Sequence, residues 1–220
     1  MLLIRPPGVY RPQGDTELLV SCLHRERLRS GSRVLDLCTG TGAVALAAAE
    51  DGARVTAVDL SGRAVATAWL NAMLHRSGIR LHRGDLLAPV AELSFDLITA
   101  NPPYVPAAAT AAPTGAGTGP GLAWDAGPDG RLVLDRICRE APRRLARGGV
   151  LLLVQSSLAN VPATLASLGT AGLRTTVAAR RRQAFGPVMA ARAARFERLG
   201  LIAPGQRHEV LVVVRGVRER

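Results

Sequence analysis

The sequence predicts an α/β protein with a seven-stranded, mostly parallel sheet covered by helices on both faces. Three observations carry that prediction. Short apolar strands alternate with helical segments along almost the whole chain. The strand at 150–154 is apolar throughout instead of at every second residue, as in a sheet buried on both sides. A glycine turn joins the first strand directly to an alanine-rich helix. The 220 residues suit one domain over 1–220, and 48% of them are apolar.

The elements follow in order. Residues 6–14 hold three prolines and two glycines and read as an extended entry arm. Asp15 reads as a helix cap, with Leu18, Leu19, Cys22 and Leu23 at helical spacing and Gly31 ending that helix. Residues 1–30 thus form an N-terminal arm and helix. Strands are expected at 33–37, 54–59, 79–84, 95–100, 150–154, 174–179 and 209–215. Helices are expected at 43–50, 63–75, 131–146, 161–171 and 188–199. Residues 105–121 are almost entirely Ala, Gly, Pro and Thr. They read as a flexible loop over the carboxyl ends of the strands.

All 28 basic residues are arginine, against 17 acids, for a net charge of +11. With no lysine, Schiff-base chemistry and a lysine-bearing phosphate loop are excluded. Residues 1–120 carry a net +1 and residues 121–220 a net +10. That asymmetry points either to RNA or ribosome contact through the basic half or to solvated helix faces. Cys22, Cys38 and Cys138 offer no disulfide framework and no zinc pattern, so no metal is expected. No stretch reaches the ~18 apolar residues of a membrane span. No signal peptide is evident, and a cytoplasmic protein without membrane contact is expected.

Two candidate sites stand at strand ends. The first is Asp36-Leu37-Cys38-Thr39-Gly40-Thr41-Gly42. Its glycines let a ligand approach the backbone, and the following helix offers free N–H groups. Asp59 ends the next strand, where it can accept both ribose hydroxyls of an adenosine; Asp85 ends the third and can accept an adenine amino group. The glycine turn alone fits a nicotinamide dinucleotide as well as S-adenosylmethionine. Asp36 tips the balance, because its charge repels a pyrophosphate and attracts a cationic cofactor.

The second is Asn101-Pro102-Pro103-Tyr104. Two prolines fix the backbone and remove two donors, leaving the carbonyls of Asn101 and Pro102 to accept bonds. The Asn101 amide and the Tyr104 ring complete a cradle for a planar –NH2 group. Acceptors that hold both hydrogens orient a poor nitrogen nucleophile without a strong base.

With these motifs the chain resembles the class I S-adenosylmethionine-dependent methyltransferases. More narrowly, it is similar to the HemK-type protein-(glutamine-N5) methyltransferases, in the short branch lacking an N-terminal helical domain. Tyr10 to Thr16 resembles that branch's Tyr-x-Pro-x-x-Asp-Thr stretch. The segment from Ala123 through Trp124 to Arg131 resembles its Trp/Gly-rich segment. Cys38 and Gln13-Gly14 depart from the pattern, replacing a glycine and an acidic pair.

The resemblance implies a Rossmann-like sheet with an antiparallel last strand. It implies S-adenosyl-L-methionine held by Thr16, Asp36, Thr39, Gly40, Gly42, Asp59, Leu60, Asp85, Leu86 and Asn101. It implies catalysis at Asn101, Pro102, Pro103 and Tyr104 on a glutamine of a protein such as a release factor or ribosomal protein, with a small activating partner. The same turn also serves adenine or guanine amines in RNA or, less well, in DNA. A non-catalytic RNA-binding module and a nicotinamide oxidoreductase are the remaining readings, and Asp36 and Asn101 to Tyr104 argue against both.

Overall fold

The computed structural model describes residues 1–106 and 126–219. Its elements are α1 (Gly14–Arg25), β1 (Arg33–Leu37), α2 (Ala43–Glu50), β2 (Arg54–Asp59), α3 (Gly62–Leu74), β3 (Arg80–Arg83), β4 (Phe95–Ala100), α4 (Leu132–Glu140), β5 (Leu145–Ser156), α5 (Val161–Thr170), β6 (Leu173–Ala184), α6 (Pro187–Arg198) and β7 (His208–Arg218). The seven strands form one sheet in the order β3-β2-β1-β4-β5-β7-β6. β1 to β5 pair in parallel, and β7 runs antiparallel to both β5 and β6.

The unbroken apolar strands have a direct cause. Along β5, Leu151 and Leu153 face α4 and α5, meeting Leu134, Ile137 and Leu168. Leu152 and Val154 face the other way, toward Leu19 and Leu23 of α1 and Val44 of α2. Each face therefore builds its own core, and no position along the middle of the strand is left for a polar residue. A smaller cluster joins Met189 and Phe196 of α6 to Val105, just beyond the Asn-Pro-Pro-Tyr turn.

Several boundaries differ from expectation. α1 ends at Arg25, not near Gly31, because its apolar spacing stops at Leu23 and Arg27 takes a left-handed conformation (φ 47°). Two ion pairs then tie it to the sheet, Glu26 with Arg215 and Glu17 with Arg181. Asp15 is not a cap but lies inside the first turn of α1. The helix expected to reach 146 stops at Glu140, passes into a 3-10 turn containing Pro142, and gives way to β5. β6 extends to Ala184 and carries Arg180, Arg181 and Arg182 on the sheet's edge, where charge discourages another strand from pairing.

All three cysteines are free. Among the described residues no helix is long and apolar enough to cross a membrane. Of the loop expected at 105–121, only Val105 and Pro106 lie within the described residues, as do residues 126–131 of the Trp/Gly-rich segment; Trp124 lies outside them.

Arg131 shows how part of the basic excess is used. It is 7% exposed, and its guanidinium donates to the carbonyls of Ala159 and Asn160, to Thr164 Oγ1 and to Asp135. It thereby clamps the start of α4 to the start of α5. Replacing Arg131 with Ala orphans these acceptors and is expected to cost ~2–4 kcal/mol of stability, read as a lowered denaturant midpoint.

Candidate active site

The sheet order reverses direction at β1 and β4, where ligands collect in open α/β sheets. Register brings the two candidate turns together there. Leu37 pairs with Ala100 on one side and Val58 on the other. The residues that follow, Cys38, Asn101 and Asp59, therefore emerge side by side.

The first turn is held by its own backbone. Thr39 N–H donates to Val58 O at 3.1 Å, and Gly42 N–H to Thr39 O at 2.8 Å. Cys38, Gly40 and Gly42 all take left-handed backbone conformations, with φ of 58°, 56° and 83°. At Cys38 this carries a cost of ~1–2 kcal/mol that glycine would avoid. At Gly42 a Cβ would also press within 3.2 Å of Ala68.

Asp36 is 1% exposed. Its carboxylate accepts from Thr39 Oγ1 at 2.6 Å and from Thr99 Oγ1 at 2.8 Å. Burial pushes its carboxyl up to about 6, although both hydroxyls favour the charged form. Asp59 accepts from Gly40 N–H and Ser61 N–H, both at 2.9 Å, and burial raises its carboxyl too. Among the described residues neither acid has an ion-pair partner within 4 Å.

The second turn is anchored from the entry arm. Asp15, 2% exposed, receives both tyrosines of the chain on one oxygen: Tyr10 Oη at 2.6 Å and Tyr104 Oη at 2.9 Å. Its other oxygen accepts from the Thr16 N–H at 2.6 Å and the Thr16 hydroxyl at 3.2 Å. The Thr16 hydroxyl in turn accepts from Asn101 Nδ2 at 3.4 Å. Burial, reinforced by the Asp15 charge, holds both phenols well above their ordinary range, so they stay donors. Gly130 seals the far side; a Cβ there would collide with the Tyr104 carbonyl, and Ala126 N–H donates to Val105 O.

A shallow cleft joins these pieces, walled by Tyr10, Thr16, Asp36, Thr39, Gly40 and Asn101 among others. The expected residues are not all equivalent within it. Asp59 and Asp85 are not among its walls. Leu86 is 6% exposed and packs its side chain into the core, leaving its backbone for a ligand. Leu60 offers a carbonyl that accepts from Arg83 at 3.4 Å. Asp85 faces Arg136 of α4, with both carboxylate oxygens engaged. Sequence reasoning missed that pair, since nothing in a helix-face arginine marks its partner. It also missed the grip of Asp15 on two tyrosines. The signal for it was present, because Tyr10, Asp15 and Tyr104 all belong to motifs already singled out.

The arrangement places an uncompensated buried acid, Asp36, and the hydrogen-bonded Asn101 on the walls of one cleft, and it can therefore hold a cationic group next to a planar nitrogen. Comparison with known proteins agrees. The methyltransferase small domain family matches residues 3–115. A putative protein N5-glutamine methyltransferase of Methanocaldococcus jannaschii is 35% identical over 184 residues, 83% of this chain and 90% of that protein. A release factor glutamine methyltransferase of Deinococcus radiodurans is 43% identical over 171 residues, 76% of this chain but 60% of that protein. The chain thus spans nearly the whole archaeal relative and somewhat less than two thirds of the bacterial one. Among solved structures, Mtq2 from the E. cuniculi Mtq2–Trm112 complex, described as responsible for methylation of the eRF1 translation termination factor, superposes with a TM-score of 0.65. It is 28% identical and covers 96% of this chain and 99% of that one. With the fold, the strand-end turns and a relative aligned along nearly its full length, the chain belongs to the small-domain methyltransferases.

Proposed function

We propose that the protein transfers a methyl group from S-adenosylmethionine to the side-chain amide nitrogen of a glutamine in a protein of the translation machinery, a release factor first among them. The observation that carries this reading is the Asn101 to Tyr104 turn. It is locked by Asp15 and Thr16, and its Asn101 shares one cleft with the glycine turn. Such a turn offers acceptors for both hydrogens of an amide, so the lone pair is directed instead of a proton being removed. The relatives named above as glutamine methyltransferases support the same acceptor.

The residues suit the cofactor. Asp36 is buried without an ion-pair partner among the described residues, which favours a cationic ligand over an anionic one. Asp59 already orders the turn through Gly40 N–H and retains lone pairs for ribose hydroxyls. When bound, S-adenosylmethionine supplies an electrophilic methyl on a positively charged sulfur. Thr16, Asp36, Thr39, Gly40, Gly42, Asp59, Leu60, Asp85, Leu86 and Asn101 are the residues assigned to hold it. A small activating partner fits the exposed apolar face of α3, where Trp69, Leu70, Met73 and Leu74 stand in solvent. Mtq2 is found in a complex with Trm112.

Purified protein, labelled S-adenosylmethionine and a cell extract test the acceptor class. Label expected to vanish with protease and survive RNase supports a protein; the opposite pattern overturns it in favour of RNA. Asn101→Ala is expected to keep cofactor affinity within a few-fold while transfer falls by ~100-fold or more. Equal loss of both would make the turn chiefly structural.

Asp36 sets a pH dependence. Its carboxyl, pushed up to about 6 by burial, keeps a proton to higher pH in the fold than in the unfolded chain. Its contribution to the stability of the free protein therefore declines as pH rises from ~4 to ~6 and is flat above. Cofactor affinity runs the other way, because a cation needs the carboxylate. It is expected to be constant above pH ~6 and to fall by up to ~tenfold per pH unit below it. Calorimetric titration checks this, and Asp36→Asn is expected to flatten the profile and weaken binding at neutral pH.

A further inference from the structure

We propose that Arg136 is a positioning residue that aims the Asp85 carboxylate at the amino group of an adenine ring, and so sets the preference of the pocket for adenosine over its deaminated counterpart. The inference rests on the cofactor reading above.

Arg136 meets Asp85 fork on fork. Its Nη1 lies 2.9 Å from Oδ1 and its Nη2 3.0 Å from Oδ2. On its other side the guanidinium Nε lies 3.6 Å from Glu140 Oε1, so the side chain is held from two directions. The backbone beneath Asp85 is equally confined. A Cβ on Gly84 would fall 2.2 Å from the Pro89 ring, and Leu86 is left-handed with φ 48°. Gly84 N–H donates to the Asp59 carbonyl at 3.0 Å, which sets Asp85 beside the strand end that carries Asp59.

Stability is a poor reason for this pair. Asp85 is 48% and Arg136 32% exposed, and ion pairs of that exposure contribute little. Direction is a better one. A bidentate fork occupies one edge of the carboxylate and leaves a lone pair on each oxygen pointing sideways, in the carboxylate plane. A planar amino group approaching in that plane donates to it. The carbonyl oxygen of hypoxanthine, an acceptor, meets a charge that Arg136 prevents from rotating away.

Calorimetry with S-adenosylhomocysteine and S-inosylhomocysteine tests the assignment. The wild type is expected to prefer the adenosyl ligand by ~100-fold or more. Arg136→Met is expected to weaken the adenosyl ligand by ~tenfold and leave the inosyl ligand within ~twofold. Arg136→Lys keeps the charge but not the fork, and should show most of the same loss. In Asp85→Asn, adding Arg136→Met should cost nothing further. Equal losses for both ligands, an unchanged or tighter adenosyl complex, or full additivity of the two substitutions would overturn the proposal. A wild type that binds neither ligand would overturn the cofactor reading itself, a result distinct from intact discrimination that ignores Arg136.

Discussion

One carboxylate organises the candidate active site. Asp15 is buried in the first turn of α1, and its two oxygens take four donors: two phenols, one backbone N–H and one threonine hydroxyl. Through Tyr104 it fixes the end of the Asn-Pro-Pro-Tyr turn, and through Thr16 it reaches Asn101 at the start. Through Tyr10 it draws the proline-rich entry arm across the cleft. Buried carboxylates are costly unless fully bonded, and this one is bonded on both oxygens. Tyr104 lies 89 residues beyond Asp15 and Asn101 lies 85 beyond Thr16, so the site exists only once the β4 turn meets the entry arm and α1.

That dependence explains what could be read from the chain before its fold. The glycine turn was legible because backbone geometry demands its residues, with Gly40 and Gly42 both left-handed. The central strands were legible because burial on two faces favours apolar runs, as the alternating contacts along β5 show. Asp15 was read as a cap because a helix start is a local signal, whereas its partner Tyr104, 89 residues on, is brought to it by tertiary packing. The length of β6 was hidden for a related reason. An edge strand tolerates Arg180 to Arg182, and a run of charge does not look like a strand.

The asymmetry in charge takes on a different meaning in the fold. Arg131 is a buried clamp, Arg215 and Arg181 fasten β7 and β6 to α1, Arg218 donates to the Leu145 carbonyl, and Arg136 meets Asp85. Several of these partners, Glu17, Glu26 and Asp85, come from the near-neutral first half. Part of the excess in the second half is thus internal complementarity between the two halves, and a count of charges along the chain cannot reveal it.

The three acids at successive strand ends show why position in a motif does not fix chemistry. Asp36 is shielded from solvent, which raises its carboxyl to about 6 against the pull of two hydroxyls, so above that pH its charge is available to a cation. Asp59 spends bonds on Gly40 and Ser61 backbone, which makes it a brace for the turn as well as an acceptor. Asp85 is half exposed and neutralised by an arginine. If all three were bare carboxylates, their mutual repulsion would raise each pKa and favour protonation, weakening every interaction a cation could make. Three environments of different kind let three like charges share one end of a sheet, with the one that faces the cleft left uncompensated for the ligand.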